Sequence, residues 1–316
     1  MADAEKGRAY LEQQAAKKPR VVAPTELREA VEALWVAGLP PGDRVGWPSV
    51  DKLYTVVPGQ LTVVTGWPSS GKSEWLDAAL VNLARQGWKI ALFSPENQPP
   101  ELHMTKLLEK VTGKPFGHGP TERISREEIP ERLGELARSF GIITQPDGGV
   151  VSPKSVIEAA TPWLAQHEGS KRGLVIDPWN ELEHWRPSNL SETEYVSQTL
   201  SMLRGWARAN RVHVWIVAHP QKLREKDGKL PVPRPDMISG SQHWWNKADC
   251  NITVFRDFDP DAPSEVQIHV QKCRFKHVGR IGATTLRYDR VTGKYYEIPD
   301  ALEIRRYANK GSYDDE

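Results

Sequence analysis

The eight residues GWPSSGKS at positions 66–73 constrain the fold of this chain more than any other stretch. They match the P-loop pattern G-x-x-x-x-G-K-[ST] at every fixed position. An apolar run at residues 61–65 precedes them and an amphipathic helical pattern follows, which is the strand–loop–helix context that the pattern requires. Such a loop surrounds phosphate oxygens with backbone N–H groups at a helix N-terminus.

The pattern predicts a nucleotide site in which each polar group has a task. Lys72 would reach the β- and γ-phosphates, and the Ser73 hydroxyl would hold Mg²⁺. The expected cofactors are therefore Mg²⁺ and ATP, or another NTP or dNTP. We expect contacts to the nucleotide from Gly66, Ser69, Ser70, Gly71, Lys72 and Ser73.

Composition argues against several other classes of protein. Among the 316 residues, 39% are apolar, which is enough for a large core, yet no apolar run reaches the length of a membrane span. A net charge of +1 means that any surface for nucleic acid must concentrate its positive charge locally. Cys250 and Cys273 form no C-x-x-C pair, so a zinc ribbon or a disulfide framework is not expected. The charged N-terminus lacks a signal-peptide pattern, and we expect a reducing, cytoplasmic setting.

Strands alternate with helices along most of the chain. This order predicts an α/β fold with a mostly parallel sheet, helices on both faces and an antiparallel β extension at the C-terminal end. The predicted strands are residues 61–65, 89–94, 141–144, 173–177, 212–218, 250–255 and 266–271, followed by a hairpin at 284–296. Helices are predicted after the P-loop, through Leu102 and Leu108, from Pro153, and over 192–209 with Tyr195, Thr199, Met202, Leu203 and Trp206 on one side. Residues 113–130 are predicted as a loop or a short excursion from the fold.

The chain is expected to contain three segments. Residues 1–44 would form a flexible arm and a linker helix capped by Thr25, residues 45–300 the main α/β domain, and residues 301–316 a C-terminal tail. The linker helix would pack either on its own domain or on a neighbouring subunit.

Three polar residues follow predicted strands, at the sheet edge where a P-loop lies. Asp177 would help to hold Mg²⁺, or it starts an ordinary turn. Glu96 would polarise the attacking water, or it caps the helix that begins near Pro99. His219 would contact the γ-phosphate, or it is a satisfied structural residue.

A basic turn carries Lys272 and Arg274 directly after a predicted strand. A fixed guanidinium stabilises charge on a transferring phosphoryl group and is worth on the order of 10³–10⁵ in rate at P-loop sites. Charge alone does not distinguish such an arginine finger from a solvated turn.

A polar segment after His219 combines basic, small and aromatic residues. This composition suits the backbone of single-stranded DNA, with bases stacked on a tryptophan. The alternative is that the tryptophans belong to the core and the cations to an ordinary surface. The candidate DNA contacts are Arg234, Gly240, Ser241 and Lys247, with Trp244 or Trp245 as stacking platforms.

Together these residues resemble the helicase domain of the phage primase–helicase and Twinkle group. That group belongs to the DnaB-like hexameric replicative helicases, which have a RecA-type core. The resemblance extends from about residue 46 to residue 296. The motifs that carry it are residues 66–73, 94–97, 174–180, 219–220, 240–249 and 272–275.

The resemblance implies roles around the nucleotide. Glu96 would be the catalytic base and His219 the γ-phosphate sensor, while Asp177 would join Ser73 at the metal. The DNA-facing loop of the central channel would be the one around Gly240 and Ser241.

The resemblance also implies that subunits share a site. Arg274, with Lys272 beside it, would reach the nucleotide of the neighbouring subunit. The expected protein is a hexameric, NTP-driven DNA helicase that moves 5′ to 3′ on one strand at a replication fork, in a bacterial or phage-infected cell.

The N-terminal segment before the P-loop is too short for a zinc-binding or Toprim primase module. Priming would therefore lie in another chain, unless this chain is a fragment. A separate primase and a DNA polymerase are thus the candidate partners. Two other functions remain open on the same core. One is a RecA- or KaiC-like recombination or signalling ATPase, and the other is a helicase loader that binds nucleotide without acting as a motor.

Overall fold

The computed structural model describes most of the chain. The described residues are 21–145, 149–221, 230–239, 242–257 and 264–298. Two of the predicted DNA contacts, Gly240 and Ser241, lie outside these ranges, as does the predicted tail at 301–316.

The chain forms α-helices and strands in an alternating order. A 3₁₀ turn at Pro24–Leu27 leads into α1 (Arg28–Ala37), which is followed by β1 (Asp43–Arg44), α2 (Pro48–Asp51), β2 (Thr55–Val56), β3 (Leu61–Thr65), α3 (Lys72–Ala84), β4 (Lys89–Phe93), α4 (Pro100–Thr112), α5 (Glu128–Ala137) and β5 (Phe140–Ile142). The second half contains α6 (Pro153–Ala165), β6 (Arg172–Ile176), α7 (Glu192–Asn210), β7 (Val212–Val217), α8 (His243–Lys247), β8 (Cys250–Phe255), β9 (Glu265–Cys273), β10 (Gly282–Tyr288) and β11 (Tyr295–Glu297).

A nine-stranded sheet organises the fold, in the order β11-β10-β9-β8-β3-β7-β6-β4-β5. The six strands from β8 to β5 run parallel, and β9, β10 and β11 extend the sheet with antiparallel pairs. The predicted mixed sheet with a C-terminal antiparallel extension is therefore confirmed. The P-loop strand β3 lies between β8 and β7, so the loops after several parallel strands converge beside it.

Two apolar layers cover the sheet. On one face, α3 and α4 pack through residues such as Trp75, Leu80 and Leu107. On the other face, α6 and α7 pack through residues such as Val156 and Leu203. Burial on both faces explains why every residue of β3 and β7 is buried and why most of these residues are apolar. Two of the polar exceptions, Thr62 and His213, are hydrogen-bonded to each other at 2.9 Å. None of the helices in the described part of the chain is long and apolar enough to cross a membrane.

Some local predictions were wrong in instructive ways. Residues 113–130 are not all loop, because α5 begins at Glu128 with Pro130 in its first turn, where a missing N–H is tolerated. In α7 the buried face includes Val196 and Leu200, whereas Met202 is exposed.

The predicted linker helix is present as α1, but Thr25 does not cap it. Thr25 lies inside the preceding 3₁₀ turn, and the residue before the α-helical segment is Leu27. No residue of α1 is buried, and Trp35 is 85% exposed. The helix therefore does not contribute to the core of the described chain.

Candidate nucleotide-binding site

The P-loop connects buried strand β3 to the N-terminus of α3. The Thr65 hydroxyl donates to the Ala218 carbonyl at 2.7 Å, which ties the end of β3 to the end of β7. A Cβ on Gly66 would lie 2.1 Å from the Val254 carbonyl oxygen, so no larger residue fits. Gly71 precedes α3 at φ +89°, a conformation that favours glycine. The pattern therefore folds as the expected turn between a buried strand and a helix N-terminus.

Lys72 is buried at the start of α3. Its Nζ donates to the Trp67 carbonyl at 3.0 Å, within the loop itself. Burial lowers the pKa of Lys72, while the nearby Asp177 and Glu96 carboxylates act in the opposite direction. The neighbouring Ser70 hydroxyl is also buried, and it has no hydrogen-bond partner among the residues described. The loop thus holds polar groups that an anion would satisfy.

Asp177 directly follows β6 and is 3% exposed. Burial raises its pKa to about 7, and the nearby Asp77 adds to this effect, whereas a hydrogen bond from the Ser73 hydroxyl opposes it. Its Oδ1 has no hydrogen-bond partner within the described ranges. A buried carboxylate with one unbonded oxygen, next to a serine hydroxyl, could bind a cation such as Mg²⁺ that also binds phosphate oxygens.

The residues present therefore fit Mg²⁺ together with a nucleotide. In the described part of the chain there is no cluster of three or more His, Cys, Asp or Glu that would hold a metal alone. This agrees with the preference of Mg²⁺ for one or two carboxylates plus phosphate oxygens.

Glu96 and His219 meet at the same edge of the sheet. Their Oε1 and Nε2 atoms are 3.9 Å apart, and both side chains remain partly exposed. Burial, with a contribution from Lys72, lowers the pKa of His219. The backbone N–H of His219 donates to the Asn180 side-chain oxygen at 2.9 Å, so the loops after β6 and β7 are joined.

A charged network behind Glu96 was missed by the sequence analysis. Lys106 donates to the Asn97 side chain at 2.8 Å and pairs with Glu74 at 3.2 Å. Lys110, whose side chain is 1% exposed, pairs with the same glutamate at 2.5 Å. The loop that carries Glu96 is thereby attached to the P-loop helix α3. The available signal was the pair of lysines four residues apart on α4, opposite a glutamate in the first turn of α3.

Arg274 and Lys272 lie at the opposite edge of the sheet. Arg274 Nε pairs with Asp249 Oδ1 at 2.9 Å, and Asp249 bonds to Leu61, the first residue of β3. The P-loop begins only after Thr65, and a five-residue strand spans roughly 16 Å. Arg274 is therefore not brought together with the P-loop of its own chain.

Lys272 contacts the same region as Arg274. Its Nζ donates to the carbonyls of Trp245 at 2.5 Å and Asn246 at 3.1 Å. Burial lowers its pKa to about 8, and the Arg274 charge adds to this effect. Cys250 and Cys273 face each other here across β8 and β9, with their sulfur atoms 3.9 Å apart and both thiols free.

The predicted DNA segment is only partly described. Arg234 lies 5.1 Å from the centre of the Trp245 ring, and its Nε pairs with Asp236 at 3.2 Å. Lys247 donates to the Ser201 hydroxyl. Trp244 is fully buried, so base stacking on that ring is excluded, as the core alternative required.

Comparison with known proteins gives one curated relative and several structural neighbours. No protein-family model matches the sequence. The Twinkle homolog protein of Arabidopsis thaliana, chloroplastic/mitochondrial, is 46% identical over 265 residues, which is 82% of this chain and 37% of the relative. The chain therefore spans little more than a third of that protein.

Solved structures match at the level of the fold. The ATPase domain of G40P superposes with a TM-score of 0.74 at 17% identity, covering 88% of this chain and all of that chain. A DnaB-like replicative helicase, described with its interactions with primase, gives 0.73 at 17% identity over 94% of this chain and 76% of the other. The RadB recombinase gives 0.52 at 16% identity, over 81% and 99% of the two chains.

The sequence relative and the shared fold agree with the motifs around the P-loop. Residues 66–73 form the turn between β3 and α3, and Asp177, Glu96 and His219 lie around it at one sheet edge. The chain carries a domain of the DnaB-like and Twinkle helicase type, built on a RecA-like fold.

Proposed function

We propose that this chain is the motor of a ring-shaped DNA helicase that hydrolyses NTP at subunit interfaces. The observation that carries the proposal is the separation of two parts of one phosphate site. The P-loop lies at the carboxyl edge of the sheet, while Arg274 lies at the amino edge, beyond the length of β3. If Arg274 completes the nucleotide site of the neighbouring subunit, the two groups act together despite their separation within one chain. Such sharing is typical of ring-shaped motors.

Hydrolysis would use the groups gathered at the carboxyl edge. Backbone N–H groups of the P-loop and Lys72 would hold the phosphates. Glu96 would accept a proton from a water molecule as its oxygen attacks the γ-phosphorus, and the bond to the bridging β–γ oxygen would break. Mg²⁺, held by Ser73 and Asp177, would neutralise charge on the phosphate oxygens.

His219 suits the task of sensing the γ-phosphate. Its pKa is lowered by burial, so it is neutral near pH 7 and can donate one ring hydrogen bond without adding a full charge. Because the His219 backbone N–H is hydrogen-bonded to the Asn180 side chain, a shift of His219 on loss of the phosphate would also displace the loop after β6.

Arg274 would act on the nucleotide of the adjacent subunit, with Lys272 beside it. Its side chain is one-third exposed although it is paired with Asp249, so the guanidinium is both anchored and accessible. The exposed α1 would dock on the same neighbour, which would complete a homo-oligomeric ring of six subunits by analogy with the family.

Single-stranded DNA would pass along the segment that follows β7. Arg234 and Lys247 lie in this segment, and the glycine and serine at 240 and 241 would supply backbone contacts. Movement 5′ to 3′ is implied by the resemblance. A cytoplasmic setting and interaction with a primase and a DNA polymerase belong to the same proposal.

The proposal is tested by Arg274→Ala in the full chain. We expect nucleotide affinity to stay within about two-fold, because the P-loop is unchanged, while DNA-stimulated hydrolysis falls by on the order of 10³-fold. Arg126→Ala, an exposed arginine before α5, is the matched control and should behave as wild type.

The alternatives predict other outcomes in the same assays. Forked-duplex unwinding by wild type, together with a ring mass in the presence of nucleotide and single-stranded DNA, supports the helicase. A recombination ATPase would form filaments and leave the fork closed. A loader would bind nucleotide without DNA-stimulated phosphate release. Full activity of Arg274→Ala, or of an isolated monomer, contradicts a shared site.

A further inference from the structure

Asp249 is a buried carboxylate that lies between the P-loop strand and Arg274. It is 1% exposed, and its two oxygens have different partners. Oδ2 accepts from the Leu61 N–H at 3.1 Å, and the backbone N–H of Asp249 donates to the Leu61 carbonyl at 2.8 Å. Oδ1 accepts from Arg204 at 2.8 Å and pairs with Arg274 at 2.9 Å.

The guanidinium of Arg274 is oriented by this carboxylate. A charged hydrogen bond to a buried acceptor is short and directional. The Arg274 N–H also donates to the Asp249 carbonyl at 2.9 Å, so both backbone and side chain of the arginine depend on one residue. Nη2 adds bonds to the carbonyls of Asn246 and Ala248 at 3.0 and 3.2 Å. The result is one fixed direction for a side chain that would otherwise be mobile.

The same carboxylate joins Arg274 to the strand that carries the P-loop. Leu61 begins β3, and Thr65 ends it immediately before the loop. All five residues of β3 are buried between β7 and β8, so the strand is a stiff connection. Movement at the P-loop of one subunit would therefore reach the arginine that the same subunit offers to its neighbour.

We infer that Asp249 is a positioning residue, which holds Arg274 in the geometry for donation to the adjacent subunit and couples it to β3. This inference rests on the proposed function, since it requires Arg274 to act across a subunit boundary. Asp249 itself touches no nucleotide, and its effect on turnover passes through Arg274.

Subunit mixing gives the direct test. Lys72→Ala inactivates the P-loop of a subunit but keeps its Arg274, whereas Arg274→Ala keeps the P-loop and removes the arginine. A mixture of the two should regain hydrolysis at interfaces where the P-loop of an Arg274→Ala subunit meets the arginine of a Lys72→Ala subunit. Asp249→Asn alone should lower kcat by roughly 10- to 100-fold while nucleotide affinity stays within about two-fold. Mixed with Lys72→Ala it should regain turnover, and mixed with Arg274→Ala it should not.

The other outcomes of the mixing experiment show whether donation across the subunit boundary or only the role of Asp249 is wrong. If the reference mixture of Lys72→Ala and Arg274→Ala stays inactive, donation across the boundary is wrong, and this inference fails with it. If the reference recovers but Asp249→Asn is rescued by Arg274→Ala and not by Lys72→Ala, Asp249 acts on its own P-loop through Leu61, and only this inference fails. Unchanged kcat in Asp249→Asn also overturns it.

Two further variants separate positioning from folding. Asp249→Glu keeps the charge that compensates the arginines but displaces the guanidinium, so it should fold and still lower kcat, since small misplacements cost up to about 10²-fold. Asp43→Asn is the control, because Asp43 likewise combines a hydrogen bond, here from the Trp88 indole N–H, with an ion pair, here to Lys171 at 2.5 Å, and it shares no partner with Arg274 among the described residues. It should reduce stability without changing kcat or the mixing behaviour.

Discussion

Two buried carboxylates, Asp177 and Asp249, lie at opposite edges of the central sheet and differ in their hydrogen bonding. At the carboxyl edge, Asp177 Oδ1 and Ser70 Oγ are buried without a hydrogen-bond partner in the described chain. At the amino edge, Asp249 is just as buried but is bonded to Leu61, Arg204 and Arg274.

This difference separates a carboxylate that has, among the described residues, an oxygen free for a ligand from one whose two oxygens are both bonded within the chain. An unsatisfied buried polar group costs free energy, and such groups persist at functional sites where a ligand later satisfies them. A satisfied buried carboxylate fixes its partners in place instead. The carboxyl edge is therefore suited to binding, and the amino edge to presenting a preoriented cation.

Lys72→Ala should have the largest effect of all changes at the carboxyl edge. Without the ammonium group, hydrolysis should fall by on the order of 10³-fold and unwinding should be lost with it. Steady-state phosphate release and forked-duplex unwinding measure both effects. Lys154→Ala, on an exposed part of α6, is the control. Unwinding that survives the Lys72 change would place the motor elsewhere.

Asp249→Ala should strongly destabilise the amino edge. It removes a buried carboxylate and leaves Arg204 and Arg274 uncompensated, so the free energy of unfolding should fall by about 3 kcal/mol or more. Urea denaturation of the ligand-free protein measures the change. A loss below about 1 kcal/mol would mean that the cluster is not the fixed element that the comparison requires.

Asp177→Asn, at the carboxyl edge, should raise the free energy of unfolding instead of lowering it. The pKa of Asp177 is raised from its ordinary value of 3.8 to about 7, so wild type loses stability as pH rises between these values. The amide has no such loss, and the variant should be more stable than wild type by up to about 4 kcal/mol at pH 8.

The gain should disappear near pH 3, below the ordinary pKa of 3.8, where Asp177 is mostly protonated in both the folded and the unfolded protein. Denaturation without nucleotide or Mg²⁺, at both pH values, measures it. Destabilisation by Asp177→Asn at pH 8 would show that the carboxylate is already satisfied, and the two edges would then be alike.

The smallest expected effect concerns the two thiols at the amino edge. A hydrogen bond from the Cys250 thiol lowers the pKa of Cys273 to about 7, whereas the pKa of Cys250 is raised and its side chain is buried. Iodoacetamide should therefore modify Cys273 first, with a pH midpoint near 7. Peptide mass mapping measures the order. Equal labelling of both thiols would indicate that this edge opens readily in solution.

Much of the carboxyl edge could be predicted because its residues are local in sequence. The P-loop combines a fixed spacing with a strand before it and a helix after it, and Asp177 ends a short apolar run. Helix α5 was missed because Pro130 lies in its first turn. The buried face of α7 was misplaced at Met202, because apolar spacing does not show which side of a helix meets the sheet.

The amino acid sequence by itself determined the α/β class, the strand–turn–helix around residues 66–73 and which residues are candidate catalytic groups, because each depends on neighbours in the chain. Only the tertiary structure decided which groups share an edge of the sheet. Strand order brings Asp249 to Leu61 and Arg274 across large sequence separations, and the length of β3 keeps that arginine away from its own P-loop. No local spacing contains this information, since it arises from how the strands pair.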